Sequence, residues 1–260
     1  MPTPHPSPPR YRQVADELRR RLRSGAIPPG QLLPSETALM NEFNVSRGTI
    51  REAVAALRTE GLVVTEHGRG TYARSALPVR RLGSERYRRE LEQLDQSRPP
   101  ETSFTADQAI DWSAYQLDRD YHEVVASQER AELFGAEPGA MLLERRFLFR
   151  ANGVPQQMSI SCYPLALVAG TPLADPANEP WPGGNTGQLH SLGITVTKIR
   201  ERVRARMPTR DEIDALRIPS GVPVLTITRQ TYAGERVVEI AVDIVLPADR
   251  TELEYDIDLR

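Results

Sequence analysis

The chain has 260 residues, with 33 basic and 35 acidic side chains, a formal net charge of −2, 39% hydrophobic residues and 6% aromatic residues. At roughly 100–200 residues per domain, two domains are expected. No run of about 18 apolar residues occurs, which excludes a transmembrane helix, and residues 1–9 lack the apolar core of a secretory signal. The single Cys162 cannot close an intrachain disulfide, and His5, His67, His122 and His190 show no metal-ligand spacing. A cytoplasmic chain without disulfides, metal or other cofactor, and with no membrane partner, is the expectation.

The charge is unevenly spread. Residues 1–76 carry 11 arginines against 7 acids, residues 77–103 carry 6 against 5, and residues 104–260 carry 16 bases against 23 acids. A basic head on an acidic body suits a DNA-reading module attached to something else, although a solvated face gives the same count. Lys198 is the only lysine. That usage reflects base composition, so the arginine count itself carries no argument.

Residues 1–9 contain five prolines and read as a disordered arm. Tyr11, Val14, Ala15, Leu18 and Leu22 then recur at helical spacing, and Gly25 and Pro28-Pro29-Gly30 end that helix. Ser35 can cap a second helix whose first residue, Glu36, suits the helix dipole. Ala38, Leu39 and Phe43 form its apolar stripe. After Asn44-Val45, Ser46 caps a third helix from Arg47 to Glu60, stopped by Gly61 and burying Ile50, Ala53, Val54 and Leu57. Its opposite face opens with Arg47, Gly48, Thr49 and Arg51. Two short helices with a brief turn between them, the second tipped by Arg and Thr, have the grammar of a helix-turn-helix. Arg can bond guanine edges bidentately, Thr can reach a phosphate or a thymine methyl, and free helix amides accept a phosphate. Gly48 leaves the backbone free to approach a duplex.

Leu62–Thr65 and Thr71–Ala73 read as strands around the turn Glu66–Gly70, a wing with His67 and Arg69 at its tip for a minor groove. The alternative is a three-helix protein-binding module with Arg47 and Arg51 merely solvated. The order of cap, turn, Arg/Thr face and basic wing favours DNA.

The pattern Gly25…Gly30, Leu33-Pro34-Ser35-Glu36, Phe43-x-Val45-Ser46-Arg47-x-Thr49-x-Arg51-x-Ala53, Leu57, Glu60-Gly61-Leu62 and Gly68-x-Gly70-Thr71 resembles the winged helix of GntR-type transcription regulators over residues 10–74. The resemblance implies DNA contacts at Thr37, Ser46, Arg47, Thr49 and Arg51 in the helices and at His67, Gly68 and Arg69 in the wing. Gly48 stands where the family often has a hydroxyl, so a phosphate contact there falls to the backbone amide. The DNA-binding domain is placed at 10–76 and a linker with room for a short helix at 77–103.

From Phe104 to residue 260 the pattern becomes α+β with an internal echo. A helix, Ser127 to Phe134, leads into strands Met141–Phe149 and Pro155–Tyr163. A second helix opens on the capping box Thr209-x-x-Glu212 and leads into Pro223–Tyr232 and Arg236–Leu246. Two such units would pair as antiparallel sheet and leave a cleft between halves. Thr195–Met207 reads as a strand with Lys198, Arg200, Arg202, Arg204 and Arg206 on a solvated or salt-bridged side. The other side, Ile199, Val203, Ala205 and Met207, is apolar and buried but for Glu201. Residues 171–188 read as a loop.

This order of helix, hairpin and Asn-Gly-x-Pro turn, repeated with Val237-Val238-Glu239, resembles the UTRA effector domain of the HutC subfamily, of chorismate-lyase-like fold. In phosphosugar-binding members two arginines alternate before the turn proline. Aligned on Pro155, those positions are Phe147 and Phe149. Arg145, Arg146 and Arg150 lie out of that register by an odd step, which turns most of them to the other face. Ser159 replaces an acidic residue often found after the proline, and Glu239 matches the second acidic position. A small effector more apolar than a phosphosugar, held by Phe147, Phe149, Ser159 and Glu239, is expected. The alternative is that both phenylalanines are ordinary core.

The resulting expectation is a ligand-responsive repressor that binds a near-palindromic operator as a homodimer, with residues 104–260 binding effector and dimerising. Two alternatives stay open: an enzyme on the C-terminal fold, for which no nucleophile–base pattern is visible, and a constitutive DNA-binding protein whose body only dimerises.

Overall fold

The computed structural model describes residues 8–66, 68–74, 80–83, 85–94, 102–181 and 183–256, and the chain divides into two compact units, the first of residues 1–78 and 219–222 and the second of residues 79–218 and 223–260. The first unit holds helices α1 (Arg10–Arg23), α2 (Glu36–Phe43) and α3 (Arg47–Thr59), then a hairpin of β1 (Val63–Glu66) and β2 (Gly70–Ala73). The stripes read from the sequence meet in one core: Val14, Ala15 and Leu18 from α1, Leu39 from α2, and Ile50, Ala53 and Leu57 from α3. Ser35 and Ser46 cap α2 and α3, their hydroxyls accepting from the amides of Ala38 and Thr49. Asn44, at φ 50°, makes the left-handed turn that lets α3 leave α2 abruptly. Leu32 bridges Tyr72, which ties the segment ahead of α2 to the wing.

In the second unit, the described part of the span expected to be a linker is built into the fold, residues 80–83 forming β3 (Arg80–Gly83), parallel to the late strand β10 (Thr251–Glu254), and residues 85–94 forming helix α4 (Glu85–Leu94). Its high charge concealed this, because the residues of α4 that face inward are Arg86, Tyr87 and Glu90, each hydrogen-bonded to a polar partner elsewhere in the unit. A short helix α5 (Ser103–Gln108) follows, closed by the capping box of Thr102 and Thr105.

The main sheet has six antiparallel strands in the order β4 (Tyr115–Val125), β5 (Met141–Ala151), β6 (Val154–Pro164), β9 (Arg236–Pro247), β8 (Val224–Ala233) and β7 (Lys198–Arg206). The two hairpins echoed in the sequence are thus joined by β6–β9 pairing into one continuous sheet, with Ser161 opposite Ala241 and Cys162 opposite Ile240. Each hairpin's helix packs on the other hairpin: α6 (Gln128–Phe134) on β9, and α9 (Arg210–Leu216) on β6. Cys162, Ile240, Leu142 and Ala131 make the core on that face. Across the other face lie α4, α5, α7 (Leu165–Val168) and α8 (Gly184–Ser191). The expected loop at 171–188 therefore ends inside α8, whose weak helical signal is overridden by burial of Thr186, Gln188 and Leu189.

The edge strand β7 departs from its expected alternation. Ile199 packs inward, but Val203 and Met207 are 39% and 60% exposed. No helix covers the sheet at that end among the described residues. On its basic side Arg206 is paired with Glu212, and Lys198 and Arg200 lie over the Tyr232 ring.

Candidate nucleic-acid interface and enclosed cavity

The first turn of α3 is presented by its cap. Ser46 accepts from the Thr49 amide at 3.3 Å and shares a 3.0 Å hydrogen bond with the Thr49 hydroxyl, which leaves Arg47, Gly48 and Arg51 outward. The Arg47 and Arg51 side chains are 58% and 66% exposed, and both turn to one carboxylate, Glu36 at the start of α2, with Nε–O distances of 3.4 and 2.9 Å. An exposed pair of this kind is worth only about 0.2–1 kcal/mol, so a phosphate or guanine edge can replace the carboxylate. By contrast, Arg19, Arg20 and Arg21 on α1 are each matched by acids of their own, Glu60, Glu17 and Glu42 among them. Thr37 is exposed on α2. In the wing Gly68 and Arg69 occupy the turn, Arg69 paired with Glu66 at 2.7 Å and 74% exposed. His67 lies outside the described residues. Gly48 needs no glycine for the fold, since an added Cβ would meet only the Ser46 hydroxyl at 3.7 Å. The sequence reading missed Glu36 as the group that aligns both arginines.

The second unit holds a partly open cavity of about 100 Å³ between the sheet and α4, α5 and α8. Phe147, Phe149 and Ser159 are among its lining residues. The phenylalanines belong to an aromatic group in which Phe104 stands 5.3 Å from Tyr115 and 5.2 Å from Phe149, and Phe147 stands 5.7 Å from Phe149.

Glu239 corrects one expectation: it does not line the cavity. It sits one layer beneath, with no exposed surface, its carboxylate already accepting from Ser161 (3.0 Å), Asn185 (2.6 Å), Arg229 (2.9 Å) and Thr231. A register shift in the β8–β9 pairing leaves Val238 unpaired, and that bulge sets Glu239 opposite Thr231. Burial acts to raise its pKa, but Arg229 and Thr231 outweigh burial and hold it below the usual carboxylate range.

Arg145 corrects another. Two residues from Phe147, it shares that face of β5 and does not point away. Its guanidinium is fully buried, donating to Gln188 (2.8 Å), Tyr163 (2.9 Å), Asn185 (2.7 Å), Glu179 and Tyr121. Arg146 and Arg150 do face the other way, paired with Glu144 and Asp118. Asn185 joins the two buried ions, accepting from Arg145 and donating to Glu239. A connected polar floor thus lies under the cavity, and hydrogen bonds offset much of its cost, with the Nε of Arg145 and of Arg229 left unmet among the described residues.

Sequence reasoning also missed the remaining walls: Arg86, Asp107, Tyr115, Trp181 and Arg229. Burial lifts the Asp107 carboxyl to about 6, against the pull of Arg86 at 3.3 Å. The signal for Arg229 was present, as the one charged residue on its strand, two positions from Thr231. Nothing local ties it to α4.

Comparison with known proteins agrees with both geometries. Residues 10–73 match the model of bacterial regulatory proteins of the gntR family, and residues 119–252 match the UTRA domain. An uncharacterised HTH-type transcriptional regulator of Streptomyces coelicolor is 30% identical over 244 residues, covering 92% of this chain and 89% of that protein. A histidine utilization repressor of Pseudomonas putida is 28% identical over 252 residues, covering 95% and 91%. The crystal structure of a GntR-family transcriptional regulator superposes with a TM-score of 0.65 at 30% identity, covering 97% of this chain and 98% of that one. An arginine-tipped, serine-capped helix ahead of a wing, and a separate α+β unit around an aromatic cavity, are the two halves of one architecture: the chain belongs to the GntR family of transcription regulators, and it is of the HutC type with a UTRA domain.

Proposed function

We propose that this protein is a ligand-responsive repressor that binds a near-palindromic operator as a homodimer in the cytoplasm. The observation that carries the reading is the exposed pair Arg47 and Arg51, held side by side by Glu36 at the start of α3. Arg47 and Arg51 read guanine edges in the major groove, and Thr49 and the Gly48 backbone take adjacent contacts. Ser46 and Thr37 bind phosphate, and His67, Gly68 and Arg69 follow the minor groove. Residues 10–76 act as the reading head and residues 104–260 as the effector-binding and dimerising body. A small effector enters the cavity against Phe147, Phe149 and Ser159 and favours one arrangement of the two heads over the one that fits the operator. Glu239 serves by fixing Arg229, Ser161 and Asn185 rather than by touching the effector.

Selection of bound duplexes from a random library with the full chain tests this. The expected product is two inverted half-sites about 10 base pairs apart, centre to centre, or a multiple of that. Arg47→Ala and Arg51→Ala should each lose about 1–3 kcal/mol on the selected site. Enrichment of no sequence, or unchanged affinity in both variants, refutes the assignment.

A further inference from the structure

From the pattern of unmet hydrogen bonds in the cavity wall, we infer that the effector is a compact, flat monocarboxylate whose carboxylate sits between Arg86 and Arg229; this rests on the cavity being the effector site. Both guanidiniums line the cavity, one from α4 and one from β8, and their carbons lie 4.9 and 5.9 Å from the centre of the same Tyr87 ring. Each spends one nitrogen on a protein acid, Arg86 on Asp107 and Arg229 on Glu239. The Nε of each is buried with no acceptor among the described residues. A buried charged donor left unmet is costly, and a carboxylate offers two oxygens that together can meet both.

The acids of the wall do not compete for that role. Glu90 is taken by the amide and hydroxyl of Ser103 and by Thr186. Glu179 is taken by Arg145, Gln188, Tyr121 and the Trp181 amide. Asp107 is hydrogen-bonded to Arg86 and lies under the pull of Arg89 as well, yet burial raises its carboxyl, which eases its protonation beside a second carboxylate. The unmet groups are therefore donors, which turns the site from an amine toward an anion. A phosphate dianion presents three terminal oxygens, more than the two unmet donors can satisfy, and would meet the apolar rings of Phe147 and Phe149.

Shape narrows the class further. The cavity measures only about 100 Å³ and is partly open, which favours a compact effector. The rings of Phe104, Tyr115, Phe147 and Phe149, of which only Tyr115 and Phe149 lie near parallel, supply an apolar wall for the body, where edge and face contacts with another ring are favourable.

The test is calorimetric titration of the full chain with benzoate, benzamide, benzylamine and inorganic phosphate. Benzoate should bind at least tenfold tighter than its neutral isostere benzamide, with benzylamine and phosphate weaker still. Arg86→Gln should weaken benzoate roughly 10- to 100-fold and leave benzamide unchanged, a split that mere structural damage would not give. Equal affinity for benzoate and benzamide, preference for benzylamine or phosphate, or no binding by any of the four overturns the inference. Operator binding without ligand, measured alongside, separates the two readings. A protein that binds its operator and fails the benzoate test keeps its function and loses this effector class, whereas one that binds benzoate and no duplex does the reverse.

Discussion

Glutamine at position 239 would change one charge and almost no volume, yet the structure makes it a severe substitution. The Glu239 carboxylate is fully enclosed and accepts from four donors, one of them the buried Arg229. In Glu239→Gln an NH2 group must face at least one of those donors, and Arg229 keeps its charge with no buried counterion. Breaking one side of a buried pair costs about 3–5 kcal/mol. For a unit of this size each kcal/mol moves the melting temperature by about 2–4 °C, so the variant should melt roughly 6–20 °C lower. The only two tryptophans, Trp112 and Trp181, both belong to the second unit, so fluorescence-detected melting reports on that unit alone. The pH dependence adds a second reading. Because the folded pKa of Glu239 is depressed, the stability it contributes is complete above the usual carboxylate range and lost as pH falls through the folded value. The gap between parent and Glu239→Gln should therefore narrow as pH drops below about 4. A gap under 2 °C at neutral pH, by a measurement good to about half a degree, or a gap that widens in acid, would refute the reasoning.

Three other outcomes are expected. Gly48→Ala should raise the thermal stability of the first unit by up to about 1 kcal/mol, because Gly48 is an ordinary helical position with room for a Cβ. The same variant should bind operator several-fold more weakly; stabilisation with unchanged affinity in fluorescence anisotropy would show that the backbone does not approach DNA there. Arg51→Ala should reduce specificity at one base pair of each half-site while leaving the salt slope nearly unchanged, since a base contact and not a phosphate contact is lost. A slope lower by about one would reassign Arg51 to the backbone. Cys162, with no exposed surface and its thiol pushed up by burial to about 12, should resist a disulfide reagent at pH 8 and titrate only in denaturant. Prompt labelling of the native chain would contradict that burial.

The first unit was legible because its information is local. Ser35, Ser46, Asn44 and Gly61 sit at fixed offsets from apolar stripes, and such offsets determine caps, turns and the outward face of α3 without reference to anything distant. The two hairpins and the capping box at Thr209 were readable for the same reason. Arg145 was misplaced although its spacing of two from Phe147 already put both on one face, a rule of strand geometry that needs no structure. The polar floor was not legible in this way. Its members come from β4, β5, β6, α8, β8 and β9, and a bulge at Val238 decides that Glu239 turns toward Arg229 rather than away. Helix α4 looked like a solvated connector because charge patterning cannot distinguish an arginine facing water from one facing Asp107 across a cavity. Periodicity and capping, written in neighbouring residues, defined the elements and the reading head. Which buried charges meet, and hence what the cavity can hold, was decided by the closing of the sheet against its helices, because desolvation and pairing depend on groups far apart in the chain.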